Sequence, residues 1–330
     1  MNRVKLFGGD TVEKLKLSLL QKWVLPKSYS FVHSSVLLSD GRAVVLTSDL
    51  EDCDKYCVLL LSSLGSREVA IYDCSDERRN YPVLFCFEEG FGIMQKGKKL
   101  EYYTGEFFSP EVIEISNSLM PTKAQQRYFQ VVSDSTLIPV CFENEVYYGD
   151  ARHFALLEFD VAKKDAKWLS FSSIDKKALT HHNDSTENTP KIDSLKLSNQ
   201  EIYAFISGES TTSVNKWGMD YYALAKISAD GKVLETFLES DNLKISGKKG
   251  GVNGRFTDSD YVILTPLFKS DDWKGKQKLF SLTTGDYFDL AFPRGMSKHQ
   301  VQNISKKTCL TSLYDRGLKE IALCQVNDKR

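Results

Sequence analysis

The sequence predicts an all-β protein built from repeated four-stranded antiparallel units. Three observations carry this. The stretch Val36–Asp73 holds four strand-like runs: Val36–Leu38, Ala43–Thr47, Tyr56–Ser62 and Glu68–Tyr72. Ser39-Asp40-Gly41 separates the first two, and Asp-Gly between apolar runs is a strong hairpin signal because both residues tolerate φ > 0. The same grammar then recurs along the chain. Finally, aromatic residues make up 12% of the 330 residues against only 8 Pro, a balance that suits pleated, half-buried surfaces.

In chain order, Arg3–Phe7 reads as a short isolated strand closed by Gly8-Gly9. Asp10–Leu25 fits two patterns. Asp10 can cap a helix with Val12, Leu15, Leu19 and Trp23 on one face. Leu15, Leu17 and Leu19 alternating with Lys14, Lys16 and Ser18 equally fit a strand. We read a helix at the start and a strand at Lys22–Leu25, ended by Pro26. The second unit is Val83–Phe87, Phe91–Gln95 and Lys99–Tyr103. The third is Phe129–Val132, Leu137–Phe142, His153–Asp160 and Ala166–Phe171. Leu195–Leu197, Ile202–Ile206, Tyr221–Ile227 and Lys232–Leu238 form the fourth. Gly254–Thr257, Tyr261–Leu264, Lys278–Leu282 and Asp286–Leu290 form the fifth. Gln300–Ile304, Thr308–Leu313 and Lys319–Val326 form a sixth that stops after three strands.

The first turns of these units lie about 49, 45, 65, 60 and 46 residues apart, the spacing of propeller blades. The sixth unit lacks an outer strand, and Arg3–Phe7 is a strand without a sheet. One sheet built from both chain ends closes a ring and removes the open edge of a linear array. On this pattern the chain resembles the β-propeller superfamily. The resemblance implies six blades, or seven if Lys14–Leu25 adds a sheet of its own, in a single domain spanning 1–330. It is architectural: no Trp-Asp repeat recurs in phase, no Gly-Gly marks each blade, and no Ser-x-Asp-x-Gly-x-x-Trp box is present. The structural alternative is a pair of β-sandwiches split at the polar stretch Ser172–Asp193.

Charge and cysteine content bound the function classes. A formal net charge of −1 with interspersed signs gives no basic stripe, so neither nucleic acid nor anionic membrane is expected as a partner. Lys244, Lys248, Lys249, Lys274 and Lys276 are the only basic cluster to weigh. No run approaches the length of a membrane helix. The N-terminus lacks a signal-peptide core, and several of the seven Cys sit inside apolar runs. These features point to a reducing, cytoplasmic setting.

Motifs that carry chemistry are sparse. No Gly-x-Ser-x-Gly elbow, His-Glu-x-x-His or Cys-x-x-Cys is present, and no catalytic residue, cofactor or metal ligand is nominated. His181-His182-x-Asp184 lies in a polar loop. Asp258-Ser259-Asp260 reads as a turn rather than a calcium site. Gly247–Gly254 fits no phosphate-binding pattern and precedes no helix. Aromatic residues beside polar loops remain: Tyr147, Tyr148, Trp217, Tyr221 and Trp273. On one rim of a ring they would anchor a partner protein. The leading expectation is therefore a non-catalytic protein-binding propeller, in its concrete form a bacterial toxin-neutralising (immunity) or scaffold protein. The alternative is a glycoside hydrolase-like, carbohydrate-active enzyme with carboxylates at the channel mouth.

Overall fold

A computed structural model describes residues 13–26, 28–29, 31–48, 54–74, 82–87, 90–95, 98–105, 109–116, 124–126, 130–132, 137–144, 153–175, 191–208, 221–240, 244–245, 248–249, 252–266, 276–314 and 318–327. Every regular element among them is a strand. The chain opens with β1 (Glu13–Val24). A first meander follows: β2 (Phe31–Leu37), β3 (Ala43–Ser48), β4 (Lys55–Ser62) and β5 (Gly65–Asp73). The second is β6 (Val83–Phe87), β7 (Gly90–Gln95), β8 (Lys99–Thr104) and β9 (Ser109–Glu114). Next come β10 (Ala124–Gln126), β11 (Gln130–Val132), β12 (Leu137–Asn144), β13 (His153–Asp160) and β14 (Asp165–Ser173). Then follow β15 (Lys191–Ser198), β16 (Glu201–Gly208), β17 (Tyr221–Ile227), β18 (Val233–Ser240), and a small hairpin, β19 (Lys244–Ile245) and β20 (Lys248–Lys249). The last strands are β21 (Val252–Phe256), β22 (Tyr261–Pro266), β23 (Lys278–Ser281), β24 (Tyr287–Ala291), β25 (His299–Ile304), β26 (Thr308–Tyr314) and β27 (Leu318–Asn327).

The sheet orders are β2-β3-β4-β5, β6-β7-β8-β9, β10-β12-β13-β14 and β11-β15-β16-β17-β18. A further sheet has eight strands, β21-β22-β23-β24-β1-β27-β26-β25. That larger sheet is two four-stranded halves. They meet where β1 pairs in parallel with β24, from Glu13↔Phe288 to Lys16↔Ala291. The architecture is propeller-like, because each apolar core lies between successive units. Val44, Tyr56, Phe91 and Tyr103 join the first to the second. Phe85, Tyr102, Phe159 and Trp168 join the second to the third. Phe154, Ile192, Ala204 and Tyr221 join the third to the fourth, which a split into separate sandwiches at Ser172–Asp193 would not produce. Phe205, Tyr222, Phe256 and Phe280 join the fourth to the β21–β24 half. Leu15, Leu279, Val301 and Cys324 join the two halves. Trp23, Val45, Leu59 and Ile321 return to the first unit.

Closure from both chain ends is present, through a strand other than the expected one. β1 runs antiparallel to β27 from Lys16↔Asn327 to Val24↔Glu320. Arg3–Phe7 lies outside the described residues. The expected helix within Asp10–Leu25 is replaced by one long strand over Glu13–Val24. Alternation prevailed over the helical stripe because β27 offers a ladder for the backbone of β1 and its apolar side chains have a core on each side. A bulge between Leu19 and Gln21 divides the strand. Leu15 and Leu17 pack between the two halves, whereas Trp23 and Leu25 pack toward the first unit.

The third unit also departs from expectation. Phe129–Val132 was assigned as a neighbour of Leu137–Phe142. Instead, β10 pairs with β12, and β11 pairs in parallel with β15 of the next sheet. β11 also approaches β2, β6, β12 and β21, which places it in the middle of the ring. The second unit gains a fourth strand, β9, that its sequence pattern did not suggest. Turns fold as their residues dictate. Gly41 has φ 87°, and Asn199 and Gln200 both adopt positive φ (53° and 64°), as a tight hairpin requires. Gly231 (φ 86°) brings its turn against the end of β14, where an added Cβ would lie 2.0 Å from the Ser173 carbonyl oxygen.

Candidate binding site

The turn between β21 and β22 gathers polar side chains at the inner edge of the ring. Asp258 is part-buried there, and its Oδ2 accepts two hydrogen bonds. One comes from the Leu37 backbone N–H of β2 at 3.1 Å, the other from Asn303 Nδ2 of β25 at 2.8 Å. Asn303 is wholly buried and answers in kind. Its Oδ1 accepts the Asp258 N–H at 3.0 Å, and Nδ2 also donates to the Ser35 carbonyl at 2.7 Å. These two side chains join both halves of the eight-stranded sheet to the first unit. Lys196 of β15 adds the fourth unit, donating to the carbonyls of Thr257 (3.2 Å) and Ser259. Asp260 keeps the expected turn role: its Oδ2 accepts Ser281 Oγ at 2.8 Å and the Thr283 N–H at 3.0 Å.

Burial sets the electrostatics of this cluster. It pushes the Asp258 carboxyl up to about 6, against the hydrogen bonds from Leu37 and Asn303 and the charge of Lys196. Burial likewise lowers Lys196, opposed by Asp258 and Asp260. Arg255 of β21 is part-buried and closely surrounded by protein, which brings its pKa down to about 10 and leaves it cationic at neutral pH. Its Nη1 donates to Gln302 Oε1 at 2.6 Å. His33 of β2 is held neutral, its pKa brought down to about 3 by burial and then by the Arg255 charge. Its Nε2 lies 2.7 Å from Ser48 Oγ. The Cys86 thiol of β6 is driven up to about 12, by burial first and by Asp258 second. The cluster therefore holds charge and fixes geometry. A glycosidase needs two carboxylates facing a cleft; Asp258 and Asp260 both accept hydrogen bonds from their own framework.

Two surface features lie elsewhere. A cavity of about 460 Å³ opens between the first and second units, lined by Ile71, Tyr72, Cys74, Pro82, Gln95 and Glu101 among others. Glu101 accepts Tyr72 Oη (2.7 Å), Tyr103 Oη (3.2 Å), Gln95 Nε2 (2.9 Å) and Lys99 Nζ (3.0 Å). Burial pushes this carboxyl up, but the hydrogen bonds from Tyr72, Lys99 and Tyr103 and the Lys99 charge outweigh it and hold the pKa low. The second feature is apolar. Gln21 Nε2 and Trp23 Nε1 both donate to the Ser62 carbonyl, at 2.8 and 2.7 Å, docking β1 on the β4–β5 hairpin. Around this junction Leu64 is 98% exposed, Val24 77% and Leu20 54%. Each is adjacent to, or two residues from, a group in that hydrogen-bonded junction.

Of the five aromatic residues expected on a rim, Tyr147, Tyr148, Trp217 and Trp273 lie outside the described residues. Tyr221 is fully buried in the core between the third and fourth units, and its Oη donates to Glu239 Oε1 at 3.0 Å. It is thus a core residue; its place at the start of a strand, rather than in the loop before it, turns it inward. Cys141 is likewise buried, and the His153 ring stacks 5.6 Å from Phe171. The polar residues Lys196, Arg255, Asp258 and Asn303 were not singled out for this role. A weak signal existed for Lys196, a charge between Leu195 and Leu197 in a strand-like run.

No family model matches the chain, and no curated protein matches it. Among solved structures it is similar to BamB from Moraxella catarrhalis, at 10% identity and TM-score 0.42, covering 94% of this chain and 99% of that one. It is also similar to Raptor from Chaetomium thermophilum, at 10% identity and TM-score 0.45, covering 91% of this chain but only 24% of that one. The propeller-like architecture stands on the sheet orders and shared cores described above.

Proposed function

We propose that the chain is a non-catalytic protein-binding platform, a single six-bladed ring in which the eight-stranded sheet is two blades joined edge to edge by β1. The observation that carries the binding reading is the apolar patch at the closure. Leu64, Val24 and Leu20 project where β1 meets the first unit, beside the stretch of β1 beyond its pairing with β24. Exposed apolar side chains around the closing strand, which among the described residues has no second ladder partner beyond Lys16, suit a protein partner. The specific form of this reading is a toxin-neutralising or scaffold protein acting in the cytoplasm. Cys309 and Cys324 stand opposite each other in β26 and β27 as free thiols, which suits a reducing compartment.

The test is affinity capture from source-cell extract with the wild-type chain and with a Val24→Lys/Leu64→Asp variant. A stoichiometric protein recovered by the first and lost by the second, with the variant's melting temperature unchanged, supports the reading. Equal recovery by both, or hydrolysis of a glycoside panel with no protein recovered, overturns it.

A further inference from the structure

We infer that the inner edge of the ring contains a binding site for a small oxyanion, a carboxylate or phosphate, centred on the guanidinium of Arg255. The inference is independent of the apolar patch. A guanidinium carries five N–H donors. Among the described residues Arg255 uses one contact, to the neutral Gln302 Oε1, and no carboxylate lies within ion-pair distance of it. Burying a cation without a counter-charge is costly, and such groups are ordinarily paired or neutralised. Among the described residues, the two carboxylates of the same turn point an oxygen at other partners. Asp258, three residues along, turns its Oδ2 to Leu37 and Asn303. Asp260 faces Ser281 and Thr283. Gln302 is itself held, its Nε2 donating to Ser312 Oγ at 2.7 Å.

The surroundings also favour an anion. Lys196 brings a second cation to the same turn, donating to the carbonyls of Thr257 and Ser259 while the charges of Asp258 and Asp260 act on it. The charge of Arg255 reaches His33 of β2, which burial keeps neutral. Arg255 as a residue keeps partial exposure to solvent. The forked donor set suits planar or tetrahedral oxyanions, which a point charge such as lysine binds less selectively.

The experiment is calorimetric titration and thermal melting of the full chain with inorganic phosphate and, separately, with acetate, against sodium chloride at matched ionic strength. Saturable heat and a melting temperature that rises with phosphate or acetate, both lost in Arg255→Gln, are expected. Whichever anion gives the larger response identifies the source. The Lys163→Gln variant, at a distant exposed cation, should respond like wild type. If Arg255→Gln does not fold, Arg255→Lys replaces it and should weaken binding at least tenfold. Absence of any response beyond chloride in the wild-type chain, or an undiminished response in the Arg255 variant, overturns the inference.

Discussion

Two junctions of the ring are held in different ways. Between the second and third units the interface is aromatic. Phe159 meets Phe85, Phe87 and Tyr102, with ring centroids 6.0, 5.5 and 5.4 Å away and steeply inclined planes. Where the chain ends come together, Asp258 and Asn303 instead tie β2, the β21–β22 turn and β25 through directional hydrogen bonds. Apolar packing tolerates small shifts of one sheet against another, whereas a buried hydrogen-bond network accepts one register only. The difference teaches that the junction between units adjacent in sequence rests on apolar packing. The junction at the chain ends adds polar specification, where units distant in sequence must find each other.

Phe159→Ala should break the aromatic junction with the largest effect. The side chain is 1% exposed and meets three rings of the adjoining unit. Its loss should destabilise the chain by about 3–5 kcal/mol, read as a lower urea midpoint. A loss of under ~1 kcal/mol would show that the two sheets close over the cavity and that this junction is as soft as a surface.

Asp258→Asn tests the polar junction through pH. Burial raises the carboxyl from 3.8 to about 6 in the folded chain. The contribution of this group to stability is therefore fully present below the unfolded value and lost as pH rises through the folded one. The swing is at most about 3 kcal/mol. Because Leu37 and Asn303 both donate to a single oxygen of Asp258, an amide can keep both bonds. The variant should thus match wild type below about pH 3 and become progressively more stable than it between about pH 4 and about pH 6, with little further change above that. Parallel urea-unfolding curves at each pH check this; a stability difference independent of pH would mean that Asp258 titrates normally.

The sequence exposes these junctions unequally. Meanders such as Ala43–Ser48 with its neighbours are legible because apolar runs and turn residues are local signals. The use of both chain ends to complete the last sheet follows from counting strands. Which N-terminal segment does so does not, since Leu15, Leu19 and Trp23 satisfy a helical stripe and a strand alternation alike until β27 is present. β11 is harder still: three residues pairing in parallel with a strand more than 60 positions later leave no local trace. The same holds for the site. Asp260 is a turn aspartate and reads as one, but Asp258, two positions earlier, reaches Leu37 across 221 residues. Tyr221 shows the converse error, an aromatic beside a polar loop that packs inward.

Asn303→Ala offers the finest separation between the two kinds of junction. The substitution removes an acceptor from the Asp258 N–H and a donor from both the Ser35 carbonyl and the Asp258 carboxylate. Leaving these buried groups unmatched should cost about 1–3 kcal/mol, less than the aromatic deletion. The distribution of the damage matters more than its size. Faster amide hydrogen exchange should be confined to Leu37, Asp258 and the ends of β2 and β25, with Phe159 and its neighbours as protected as before, because sub-global openings follow cooperative units. Acceleration spread evenly over every unit would instead show one cooperative body in which the polar contacts merely add to the packing, and the contrast between the junctions would disappear.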